Sequence, residues 1–184
     1  MATTTKLTYD DLDCLLDDDG NRYEIIDGEV VVSPRPLIVH QWISQELSRR
    51  IDNHVQRRKL GRIFVAPTAI ILSPHDVFEP DLIYVSNARM MFVSERGIEG
   101  PPDLCIEIAS PSTRKRDRTT KYDRYAHFGV PEYWIVDPLA RTTEVFVFNG
   151  TTDASQGITS GSHAVPSQVL PNLRLRVASL FPPA

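Results

Sequence analysis

Three residues in one stretch could do chemistry together. Asp81 follows Pro80, Glu107 interrupts an apolar run, and Lys121 lies on the segment after it. Two carboxylates supply hard oxygen donors for a divalent cation, and such an ion lowers the pKa of a bound water. A lysine beside them adds positive charge where a phosphate ester gathers negative charge. Hydrolysis of a phosphodiester is the chemistry this trio suits. The same residues also suit a plain internal ion pair between Glu107 and Lys121, because structural pairs occupy similar places.

The element that must hold Glu107 is Leu104-Cys105-Ile106-Glu107-Ile108-Ala109. Its length and branched residues predict a strand covered on both faces. Side chains alternate along a strand, so Leu104, Ile106 and Ile108 share one face and Cys105, Glu107 and Ala109 the other. Small residues flank Glu107 and leave room at its carboxylate. A charge there is costly unless paired or bound to a metal. Asp81 is expected at the mouth of a strand from Pro80 to Val85. The next helix runs from Ser112 or Thr113 to Phe128, stops at Gly129, and places Lys121 at the border of its apolar side.

The rest of the chain supports these elements. Thr8 caps a short helix with Leu12, Leu15 and Leu16 inward, and Asp17 to Asn21 forms a loop. Arg22 to Ser33 reads as a hairpin turning at Asp27-Gly28, with Glu24 as a third acidic residue in a strand. A long helix follows Pro36, with Val39, Trp42, Ile43, Leu47, Ile51 and Val55 as its core stripe and Gly61 as its stop. His40 lies near its start, where a lone histidine is commonly a structural hydrogen-bonding group. Met90, Met91 and Phe92 are expected to pack beneath the connection from Ser86 to Pro102. Glu132 to Val136 is a strong strand, and Thr142 to Phe148 is its hairpin partner. Residues 149–163 read as an exposed loop, and Leu173 to Val177 as a strand with one wet face.

The chain has 184 residues, 41% hydrophobic and 24% charged, which suits one domain over 1–184 with its core at about 8–148. The fold class expected is α/β, a mixed sheet flanked by helices. Net charge is −4, but Arg49 to Arg62 and Arg114 to Arg124 are locally basic. Such patches can serve a polyanion or simply be solvated helix faces. Two cysteines, Cys14 and Cys105, make neither a disulfide framework nor a zinc site, which fits the cytoplasm. No leader-like segment, membrane-length apolar run or internal repeat is expected.

The ordered set Arg22-Tyr23-Glu24-Ile25-Ile26-Asp27-Gly28, His40-Gln41, Pro80-Asp81, Glu107 to Thr113, Lys121-Tyr122 and Gly129 to Pro138 resembles the Uma-two family of endonuclease-like proteins. The resemblance runs from about Thr8 to Phe148. It implies a restriction-endonuclease-like core of the PD-(D/E)xK type. Asp81 and Glu107 match the acidic pair that ligates Mg²⁺ or Mn²⁺, with the Ile108 carbonyl as a further ligand. Glu24 matches an early acidic residue that binds metal or orders a water, and His40 a histidine close to the site. Ala109 stands where the broader pattern has its lysine, and Lys121 fits that role from the next helix. The implied catalytic set is Asp81, Glu107, Lys121, Glu24 and His40, in a metal-dependent endonuclease. The implied partner is nucleic acid, with DNA the expected form. Arg114, Lys115, Arg116 and Arg118 would steer its backbone. A homodimer is an expectation, with Val145 to Phe148 either an apolar edge for pairing or simply core. Two rivals stay open: a catalytically inactive nucleic-acid-binding or assembly protein on the same fold, and a hydrolase for a smaller phosphate ester.

Overall fold

The computed structural model describes residues 5–15, 20–149 and 153–183. Leu16, the Asp17–Asp19 run and the side chains of Cys14 and Leu15 lie outside the described residues. Helix α1 (Tyr9–Leu15) begins at Thr8, whose N–H and hydroxyl donate to Asp11 at 2.7 and 2.9 Å. Strands β1 (Arg22–Ile26) and β2 (Glu29–Ser33) form the expected hairpin. Asp27 and Gly28 both take positive φ, 53° and 82°, as a two-residue turn matched to strand twist requires.

Helix α2 (Ile38–Arg58) buries Ile43, Leu47, Ile51 and Val55 completely. Trp42 departs from the expected stripe and is 45% exposed. The buried residues recur every four positions, and Trp42 sits one position off, about 100° round the helix. Lys59, not Gly61, takes the left-handed position that ends the helix.

Eight more strands follow: β3 (Gly61–Val65), β4 (Ile70–Ser73), β5 (Asp76–Phe78), β6 (Leu82–Ser86), β7 (Leu104–Ile108), β8 (Glu132–Asp137), β9 (Thr142–Phe148) and β10 (Asp153–Ser160). They form two sheets. A smaller antiparallel one has the order β2-β1-β5-β4, and a larger mixed one the order β10-β9-β8-β7-β6-β3. Only β7 and β8 run parallel in the larger sheet, and the helical segment between them is the crossover that parallel pairing demands. The large sheet has a core on each face. Leu104, Ile106 and Ile108 pack with α2. Cys105 and Ala109 pack on the other side with Tyr125, Tyr133 and Phe78, and Glu107 shares that face. Beneath the connection after β6, Met90 and Phe92 pack as expected, while Met91 is exposed.

Three further expectations are corrected. The segment read as a loop over 149–163 contains β10, which pairs with β9 despite its polar composition. β9 therefore lies between β8 and β10, so Val145 to Phe148 is no free edge for pairing copies. Leu173 to Val177 is not a strand of either sheet. Its alternation is real, with Leu175 and Val177 buried and Arg174 and Arg176 exposed, but its pairing is one bridge between Ala164 and Arg176.

Candidate active site

The crossover is one helical run in three parts: α3 (Arg114–Arg116), a π-helical segment (Asp117–Lys121) and α4 (Tyr122–His127). Wide turns of this kind are uncommon and concentrate at functional sites. Asp117, Lys121 and Tyr125, spaced by four, all point inward and are buried. Lys121 is thus inside the protein and not at the border of its apolar side.

Its ammonium lies 2.8 Å from Glu107 Oε1 and 2.8 Å from Glu24 Oε1. Glu107 Oε1 also accepts the Tyr125 hydroxyl at 3.1 Å, and Glu24 Oε1 the Glu79 amide at 3.0 Å. Asp81 sits just before β6. Its Oδ2 accepts the Ile108 N–H at 2.7 Å and faces His40 Nε2 at 3.1 Å. Its other oxygen accepts Arg22. The five expected catalytic residues, Glu24, His40, Asp81, Glu107 and Lys121, all line one cavity of about 370 Å³. Prolines and leucines, including Pro34, Pro36, Leu37, Pro138 and Leu139, also line it.

Burial by itself raises the Asp81 pKa, but His40, Arg22 and the Ile108 amide outweigh it and hold the carboxyl below its ordinary value. Asp81 is then an acceptor, so His40 Nε2 carries the proton between them. That leaves His40 Nδ1 buried with no hydrogen-bond partner among the described residues. Glu107 behaves oppositely. Burial pushes it up to about 8, Lys121 opposes, and Asp117, Asp81 and Glu24 add to the rise. Burial works against the Lys121 ammonium, yet Glu107, Glu24 and Asp117 together raise its pKa and keep it charged.

The donor chemistry fits a hard divalent cation. Four buried carboxyl groups, Glu24, Asp81, Glu107 and Asp117, face the cations Lys121, Arg22 and Arg116. Both Asp117 oxygens lack a hydrogen bond among the described residues. Four acids against three cations is a surplus of negative charge, which a bound cation would relieve. Among the described residues no three acidic, histidine or cysteine groups gather closely enough to hold an ion as they stand. Lys121 and Arg22 occupy the lone pairs that such an ion would use.

Arg22, Tyr125 and Asp117 were given no role in the site from sequence. Their signals are periodic: Arg22 is two before Glu24 on one strand face, and Asp117 and Tyr125 lie four either side of Lys121 on one helix face. The basic run expected to steer a backbone is largely used internally. Arg114 pairs with Asp137, Arg116 with Ser33 and Glu24, and Arg118 with Glu144, while Lys115 stays exposed.

No curated protein matches the chain. Among solved structures, the chain resembles a crystal structure titled a putative nuclease belonging to DUF820, from Anabaena variabilis ATCC 29413. The two share 22% identity over 95% of this chain and 97% of that one, with a TM-score of 0.78, a likeness of fold. The model of the Uma2 family, described as "Putative restriction endonuclease", matches residues 8–178. A match spanning nearly the whole chain, from α1 past β10, makes this protein a member of that family.

Proposed function

We propose that the chain is a metal-dependent endonuclease that hydrolyses phosphodiester bonds of nucleic acid, with DNA as substrate, in the cytoplasm. The observation that carries this reading is the convergence of Asp81, Glu107, Glu24, His40 and Lys121 on one cavity from two sheets and two helices. Asp81, Glu107 and the Ile108 carbonyl would hold Mg²⁺ or Mn²⁺. When bound, the ion polarises a phosphate oxygen and lowers the pKa of the attacking water.

The chain's own groups supply the rest. Release of Lys121 from the carboxylates lets its ammonium meet charge on the phosphorus centre, where a fixed donor is most effective. Arg22, on the cavity wall beside Asp81, is placed to take a phosphate oxygen as it leaves that carboxylate. His40 keeps Asp81 oriented through Nε2. The Glu24 carboxylate, held by the Glu79 amide, is the group placed to order a water. The water oxygen bonds to phosphorus as the ester P–O bond breaks, and the proton the water gives up passes, net, to the leaving oxygen.

One observation favours a second reading. Lys121 spans both carboxylates as a finished structural pair would. That suits an inactive nucleic-acid-binding protein on a nuclease fold. A plasmid-nicking assay with Mn²⁺ separates them, run with Lys121→Ala, Asp81→Ala and Glu107→Ala. The nuclease reading expects wild-type cleavage and none from the variants. Activity retained in Lys121→Ala removes that lysine from the mechanism.

A further inference from the structure

Of the two basic stretches, the one following β7 is largely consumed by internal pairs. The other is not. The last turns of α2 and the segment after Pro171 enclose an open groove of about 750 Å³. Arg50, His54, Arg57 and Arg58 line it from α2, and Asn172 and Arg174 from the C-terminal segment. Among the described residues no Asp or Glu lines it. Arg50 is held by Glu46 at 2.9 Å. Arg57, Arg58 and Arg174 are exposed and, among the described residues, none is paired with a carboxylate.

The negative end of the helix dipole accounts for Arg57 and Arg58. It does not account for Arg174, which arrives from a distant part of the chain. Asn172 turns the backbone there with φ 62°. Leu173 and Leu175 then pack into the core with α2, so Arg174 between them is held outward beside the helix end. Cations gathered without an acid repel one another, and a polyanion relieves that repulsion. Arg50 and Arg57 stand two helical turns apart, about 11 Å, a span that one small anion cannot bridge but a chain of phosphates can. His40 and Arg58 are five turns apart, about 27 Å, so the groove is remote from the catalytic cavity.

We propose that this groove binds the phosphate backbone of nucleic acid, as a second contact surface apart from the catalytic cavity. The proposal rests on the nucleic-acid reading above but not on cleavage. It is tested by fluorescence anisotropy of a labelled duplex in EDTA, where no metal chemistry occurs. The wild-type chain is compared with Arg57→Glu/Arg58→Glu/Arg174→Glu and with the corresponding triple lysine variant. Far-UV circular dichroism and thermal melting check the folding of each. The glutamate triple should weaken binding about tenfold or more near 50 mM salt and flatten the salt slope by about 2.7, three contacts' worth. The lysine triple should bind much as wild type does.

An unchanged affinity and slope in the glutamate triple overturns the proposal. So does wild-type protein that binds neither duplex, single strand nor RNA, or that binds phosphatidylserine vesicles in their place. Calorimetry with Mn²⁺ keeps the two readings apart. The glutamate triple should bind the ion as wild type does, so the groove can fail while the cavity stands. A groove that binds DNA in a protein that takes up no metal would fail the cavity alone.

Discussion

At the scale of single residues, Lys121 decides how the cavity is read. Removing one partner of a buried ion pair leaves uncompensated charge and costs about 3–5 kcal/mol. Lys121→Met, which keeps most of the volume, should therefore lower the melting temperature of the metal-free protein. If the carboxylates form a metal site, Mn²⁺ should raise the melting temperature of Lys121→Met by more than it raises that of wild type. If they form only a structural pair, Mn²⁺ should move neither. Glu107 adds a pH dependence. Burial pushes its pKa up to about 8, so a proton competes with an incoming cation for that carboxylate. Mn²⁺ affinity should accordingly rise with pH and level off above about 8. Calorimetry at several pH values, in buffers of different ionisation enthalpy, would also show the released proton. An affinity flat from pH 6 to 9 would remove Glu107 from the ligand set.

At the scale of elements, a buried acid in a strand is no guarantee of chemistry. Glu132 in β8 is fully buried, as Glu107 in the adjacent strand nearly is. Its carboxylate accepts Trp134 Nε1 at 2.6 Å, Ser167 Oγ at 2.7 Å, and the amides of Gln168 and Val169 at 2.7 and 3.2 Å. Every one of those donors is structural, and three of them pin the C-terminal segment across the sheet. Glu132→Ala should destabilise the fold by about 3 kcal/mol in urea unfolding, since charge-assisted bonds are lost and buried donors orphaned. Mn²⁺ binding by the fraction still folded should not change.

The contrast shows what periodicity conveys. The β7 alternation assigned Glu107 to its face, and the Asp27-Gly28 turn gave the register that carries Glu24. The four-residue spacing put Lys121 one turn before Tyr125, but the π-helical segment that turns Lys121 fully inside leaves no local pattern of its own. Nor could local pattern find β10, whose polar residues read as loop and whose strand state comes from pairing with β9.

At the scale of the whole molecule, bulk charge is a poor guide. The net charge of −4 conceals an acidic cavity at one end of α2 and a basic groove at the other. Sequence order gave the membership of the cavity because its residues fall in recognisable blocks. The groove needed the fold, since Arg174 is 116 positions beyond Arg58 and meets it only through the packing of Leu173 and Leu175 on the α2 core. Among the described residues no helix is long and apolar enough to cross a membrane.

The central claim is that Asp81 and Glu107 form a metal site. The most direct test is calorimetric titration of Mn²⁺ into wild type, Asp81→Ala and Glu107→Ala, with and without an uncleavable phosphorothioate duplex. The account predicts binding by wild type that either substitution abolishes. Wild-type protein that takes up no ion even with the duplex present would contradict it, and would leave the Lys121 pairs as structure alone.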